Sequence, residues 1–296
     1  MEGIRKIMNH LWFDKEAAEA GEFYLRVFEN SRLLSRRMIH GTPSEDAESL
    51  ILEIENINLL LLSAGPYFQL NPSISLMISC ASKDEVLHYW EAFLEGGTIM
   101  MPLERYDFSE LYGWVSDQFG VSWQIMYTDA HIDAKIRPSL MFAGANFGRA
   151  EEAIGFYSKV FGKSEIKTIS RYGEKVMPNA PQAINFAELI LEGQSFAVME
   201  NNQEHLFGFN EAFSFIVNCD TQEEIDHYWD SLSAVPEAEQ CGWLKDQFGV
   251  SWQITPAVMN DMMQQADPAA IERVTQAFLK MKKFDLAELE RAYKGD

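Results

Sequence analysis

Asp117-Gln-Phe-Gly-Val-Ser-Trp-Gln-Ile125 returns without a change as Asp246 to Ile254. One structural unit is therefore written twice, and each function can be sought in a unit of roughly half the chain. A repeat this long excludes short solenoid units and points to tandem domains. The echo extends outward from the nonapeptide. His88-Tyr89-Trp90 reappears as His227-Tyr228-Trp229, and Phe68, Asn71, Ser75 and Cys80 reappear as Phe207, Asn210, Ser214 and Cys219. Upstream, the stretch Glu16 to Tyr24 matches Arg149 to Tyr157. The spacing between matched blocks changes along the chain. Copy two gains residues after Phe142 and loses some between Trp229 and Trp243, as loops and edge hairpins tolerate.

The chain has 296 residues, 47% of them hydrophobic and 12% aromatic, enough for two packed cores and too apolar for disorder. Its net charge of −21 argues against nucleic acid or an acidic membrane surface as a partner. Cys80, Cys219 and Cys241 form no metal-binding pair motif, and an odd count suits reduced thiols in the cytoplasm. Residues 1–13 carry no apolar leader segment, so no signal peptide is expected, and the longest apolar run, Ile57 to Ala64, is too short to span a bilayer.

Each copy reads as an α+β unit. Lys6 to Phe13 is strand-like, Asp14 is placed to cap a helix through Val27, and strands are expected over 32–40, 49–54 and 58–63. Ser73 to Cys80 then opens a second round. Ser82 to Glu85 forms a capping box, matched by Thr221 to Glu224, and Val86, Tyr89 and Phe93 give the helix its buried face. Strands over 98–103, 112–116 and 122–127 complete the copy. The order is βαβββ twice over, except that Ser233 to Gln240 is too short and polar to supply the corresponding strand in copy two. After Pro256 the period becomes helical, with Asp267-Pro268 opening a stripe of Ile271, Val274, Phe278 and Met281 that Phe284, Leu286 and Leu289 continue. The boundaries are therefore 1–130, 136–256 and a helical tail over 257–296.

The sequence resembles the PhnB-like branch of the vicinal oxygen chelate (glyoxalase/bleomycin-resistance) superfamily, often labelled demethylubiquinone methyltransferase-like. Leu11 to Asp14, Ala150 to Ala153 with Phe156-Tyr157, Phe215 to Asp220, Tyr228-Trp229, Cys241 to Ile254 and Met281 to Leu286 carry the resemblance. It implies tandem domains of paired βαβββ modules around a cleft, on a scaffold that hosts lyases, isomerases, dioxygenases and non-catalytic binders. Relatives pair two chains, so the repeats here are expected to pair internally, as a monomer or a homodimer.

Metal-dependent members hold the ion with His, Glu and Gln side chains on facing strands. The positions that the resemblance gives are His10 and Ser139 on the first strand, Ser75 and Ser214 on the fifth, and Gln124 and Gln253 on the last. The fourth-strand carboxylate falls within Leu59–Leu62 and Phe196–Val198. Neutral hydroxyls and amides are poor ligands for a divalent ion, so no metal and no other cofactor is expected. The reading is metal-independent binding of a small apolar molecule, with His10, Trp12, Ser75, Gln124, Ser139, Ser214 and Gln253 as lining residues. The alternative is a metal-dependent lyase, isomerase or dioxygenase using His10 with Gln124 as catalytic residues. Any ligand is expected to favour copy one, where His10 is the side chain that titrates near neutrality. His88 and His227, in the second helix beside core residues, read as structural, and Glu188 as surface-facing. Methyl transfer lacks its glycine-rich turn, because the chain contains no GxGxG and no alternating βα order.

Overall fold

A computed structural model describes residues 3–42, 45–203, 205, 207–264 and 267–296. Copy one runs β1 (Ile7–Phe13), α1 (Ala17–Val27), β2 (Ser31–Thr42), β3 (Glu45–Ile54) and β4 (Ile57–Ser63). It continues with β5 (Ile74–Cys80), α2 (Lys83–Leu94), β6 (Thr98–Tyr106), β7 (Ser109–Ser116) and β8 (Ser122–Tyr127). Copy two runs β9 (Ile136–Ala143), α3 (Ala150–Val160), β10 (Ser164–Arg171), the single turn α4 (Gly173–Val176), β11 (Ile184–Leu191) and β12 (Gln194–Asn201). Then come β13 (Phe213–Cys219), α5 (Gln222–Leu232), β14 (Trp243–Lys245) and β15 (Ser251–Pro256). As expected, residues 233–240 hold no strand.

The repeated nonapeptide is a hydrogen-bonded turn that locks a strand to a helix layer. Asp117 Oδ1 accepts from the Phe119 and Val121 amides at 2.9 and 3.0 Å, and Oδ2 from the Trp123 indole at 2.8 Å and the Tyr24 hydroxyl at 2.7 Å. Asp246 repeats the turn, accepting from Phe248 N, Val250 N and Trp252 Nε1. Burial pushes the Asp117 carboxyl above its ordinary range, while its four donors pull the other way. The Asp, the left-handed Gly120 and the Trp are thus all needed at fixed spacing, which accounts for the unchanged repeat. Ser82 and Thr221 cap α2 and α5 as their boxes require. Asp14 does not cap α1. It lies too far upstream, and Ser63 Oγ of β4 accepts the Ala17 amide instead. In copy two the buried Glu200 of β12 does the same for Ala150 and also takes the Ile184 amide.

Two sheets form, in the orders β14-β15-β13-β1-β4-β3-β2 and β10-β11-β12-β9-β5-β8-β7-β6. Each sheet thus draws one module from each copy. The two βαβββ modules of one copy therefore lie in different sheets. The tandem α+β architecture itself stands.

The chain divides into two compact units, residues 10–213 and residues 1–9 with 214–296. The first contains the whole eight-stranded sheet, where β5 and β9 run antiparallel with Ser75 opposite Ser139 and Met77 opposite Arg137. Approximate two-fold symmetry shows in its loops. Asn71 Nδ2 donates to Gly208 O at 3.1 Å, and its repeat partner Asn210 donates to Gln69 O at 2.9 Å.

In the second unit the tail is three helices, α6 (Ala257–Gln264), α7 (Pro268–Phe278) and α8 (Leu286–Lys294). The continuous stripe expected from Ile271 to Leu289 is corrected, because Asp285 starts a new helix by accepting from Glu288 N. The tail supports the edge where copy two lacks a strand. Cys241 N and Gly242 N donate to Met281 O and Lys282 O, each at 2.8 Å, and Phe284 lies where a Gly242 side chain would.

Candidate functional site

Strand alternation gives the eight-stranded sheet two unlike faces. Trp123 points to the helices, stacked on Phe93 of α2 with ring centroids 4.5 Å apart. By alternation and register, Ser75, Met77 and Ser79 of β5, Gln124 and Met126 of β8, and Tyr112 and Trp114 of β7 occupy the other face. So do Arg137, Ser139 and Met141 of β9, Ala197 and Met199 of β12 and Glu188 of β11.

A directed polar chain crosses the middle of this face. Tyr112 OH donates to Gln124 Oε1 at 2.9 Å, and Gln124 Nε2 donates to Ser75 Oγ at 2.5 Å. Burial raises the Tyr112 phenol well above its ordinary value, so it acts as a neutral donor. The Ser75 oxygen is used as an acceptor, which leaves its own O–H to point onward. Across the β5–β9 pair stands Ser139, only 1% exposed, whose Oγ has no hydrogen-bond partner. Methionines Met77 and Met141 flank the serines, buried at the centre, while Met126, Trp114 and Met199 are half-buried toward the rims. Beside Ser139, Arg137 pairs with Glu188 at 3.1 Å and also donates from Nη2 to Ser79 Oγ and Ala134 O.

The chain matches the 3-demethylubiquinone-9 3-methyltransferase family over residues 5–126 and 134–255, once per copy. It belongs to that family. Its fold is also that of maize glyoxalase I, with a TM-score of 0.56 over 88% of this chain and 96% of that one at 10% identity. The PhnB protein of Bacillus cereus is 27% identical, covering 42% of this chain and all of its own, with a TM-score of 0.39. A Pseudomonas aeruginosa protein is 22% identical over 40% of this chain and 93% of its own, with a TM-score of 0.36. No curated protein matches the chain. The family's double match follows the two written copies, and each sheet combines strands of both.

The candidate catalytic pair falls on different sheets, His10 on β1 of the seven-stranded sheet and Gln124 on β8 of the eight-stranded one. The reason is the exchange of modules between sheets. Nor does His10 titrate near neutrality. It is 1% exposed, and burial lowers its pKa to about 3, so the imidazole is neutral. Its neighbour Trp12 lies edge-on to Phe68 at 5.0 Å and spends its indole N–H on Gly65 O at 2.7 Å. Ser75, Gln124 and Ser139 do come together on one face. In the other unit Gln253 Nε2 donates to Ser214 Oγ at 3.0 Å, but Cys241 stands where copy one has Tyr112. A preference for copy one therefore loses its basis, because Ser139 belongs to copy two.

The metal positions of the eight-stranded sheet do not fit a resident ion. On the eight-stranded sheet they hold Ser139, Ala197, Ser75 and Gln124, and the amide is already bonded at both ends. Among the described residues no group of three or more His, Cys, Asp or Glu side chains converges as a metal site.

Sequence reasoning missed three residues. Tyr112 could have been found from its strand parity with Trp114 and Gln124. Arg137 could have been found as a charged residue two places from Ser139. Glu188, read as surface-facing, is half-buried and held by Arg137. His88 is structural as read, although exposed, with Nε2 2.9 Å from Val27 O, tying α2 to α1. Cys80 and Cys219 are buried free thiols whose pKa is pushed up to about 12 by burial, which makes them inert. No helix among the described residues is long and apolar enough to cross a membrane.

Proposed function

We propose that the face of the eight-stranded sheet opposite Trp123 binds a small, largely apolar molecule without a metal ion. The observation that carries this reading is the Ser139 hydroxyl, buried, unpaired and facing Ser75 across two strands. A buried hydroxyl without a partner costs about 1–3 kcal/mol, a cost that a ligand oxygen or nitrogen would remove. The methionines supply an apolar, adaptable surface around it, the usual composition of a small-molecule site. Every group on the polar chain is neutral, so the site orients and desolvates rather than transferring protons. Methyl transfer is not part of this reading. The repeats are taken to pair internally, standing in for a second subunit.

The test is a fragment screen by NMR on protein labelled at its methionine methyls, with elemental analysis of protein purified without chelators. Shifts centred on Met77 and Met141, weakened by Ser139→Ala, support the reading. One tightly held transition-metal ion per chain, or shifts that avoid these methionines, overturns it.

A further inference from the structure

Arg137 and Glu188 mark a difference between the copies that the polar chain does not explain. The matching residues of the other copy are Met8 and Ile51, both buried and apolar. A charged pair on the inner face of a sheet is costly unless its hydrogen bonds are completed. Here they are not. Arg137 is 8% exposed, Nη1 faces Glu188, Nη2 serves Ser79 and Ala134, and the buried Nε–H has no partner. Two residues along the same strand and on the same side lies Ser139, whose hydroxyl is also unpartnered. The two groups are about 6.5 Å apart along β9 at the Cα atoms.

We infer that this face recognises a neutral molecule bearing a hydrogen-bond-accepting oxygen, such as a ketone, ester or amide, held by Arg137 Nε–H with help from Ser139. The inference deepens the proposed function and rests on it. The class follows from donors and charge. Nε–H can only donate, so the ligand atom there must be an acceptor. Glu188 already neutralises the guanidinium at 3.1 Å, and a second carboxylate brought alongside would face it as a like charge in a buried setting. A neutral oxygen completes the arginine without that penalty, and the rest of the molecule lies on Met77 and Met141.

Three matched probes test this by methionine-methyl and arginine-Nε NMR: acetophenone, benzoate and toluene. Acetophenone is expected to shift the Met77 and Met141 methyls and the Arg137 Nε–H signal, and to bind at least tenfold more tightly than either other probe. A hydrogen bond to a charged group is worth about 1.5–3 kcal/mol, which converts to roughly ten- to a hundredfold. The double variant Arg137→Met with Glu188→Ile, which installs the residues of the other copy, should erase the preference while toluene binding stays. Ser139→Ala, a smaller change, should reduce it severalfold. Benzoate binding as tightly as acetophenone, or a preference that survives the double variant, overturns the inference and leaves the face a ligand site. If no probe shifts either methionine, the face is not such a site and both readings fall.

Discussion

Lowering the pH from 7 to 5 should weaken this protein through a single buried imidazole, and the size of the effect can be worked out. His10 is 1% exposed and its pKa falls from 6.5 to about 3 on burial. The folded state thus holds the neutral form and the unfolded state takes up the proton first. Stability from this group is fully present above pH 6.5 and is lost as the pH falls toward 3. Each unit of difference is worth about 1.4 kcal/mol, so the full loss is about 5 kcal/mol, of which about 2 kcal/mol appears between pH 6.5 and 5. Urea unfolding of the native protein and of His10→Gln at pH 7, 6 and 5 isolates the term, because other titrating groups cancel in the difference. The native protein should lose about 2 kcal/mol more than the variant across that range. Parallel pH profiles would refute the argument, as would a His10 ring signal whose NMR titration has its midpoint between pH 6 and 7.

Further predictions follow from the turn and the tail. Tyr24→Phe removes one of four donors from the buried Asp117 carboxylate and should cost about 2 kcal/mol by urea unfolding, with the slope unchanged; a change below 0.5 kcal/mol counts against the turn as a structural lock. Gly242→Ala should destabilise by more than Gly249→Ala. Both residues have φ near +83°, but only at Gly242 would the new Cβ meet Phe284, at 2.5 Å, and Ile254 O, at 2.9 Å. Equal losses would show that the tail gives way without cost. Internal pairing predicts a single chain of 33.8 kDa by light scattering; a dimer that persists on dilution would point to a further interface.

The elements were legible because their signals are local. Alternation gave the strands, and capping boxes gave α2 and α5. What could not be read was which module joins which sheet. The two versions of each module share a pattern, so β5 carries the same alternation whether it pairs with β1 or with β9. The choice rests on non-local contacts such as the reciprocal Asn71 and Asn210 bonds, and the sequence marks those residues only as repeats. The site was misread for the same reason. His10 and Gln124 are in one written copy, although the fold sends them to different sheets. The nonapeptide serves the turn and lends only Gln124 to the candidate site.

Exchange of modules has a consequence for how the two sheets can diverge. Each face collects residues from both copies, so a substitution in one copy alters one face and leaves the matching position on the other sheet untouched. Arg137 and Glu188 illustrate this. They are in the first module of copy two, and they confer a charged pair on the eight-stranded sheet alone, while Met8 and Ile51 keep the matching positions apolar. Tyr112 and Cys241 do the same from the second modules. Tyr112 completes the chain through Gln124 to Ser75, and the lack of a counterpart to β6 in copy two leaves Cys241 against the tail backbone instead. Both differences enrich the eight-stranded sheet in directed donors. Duplication thus kept the turns that fold each module and left the inner faces free to separate, which is where a difference in ligand would arise.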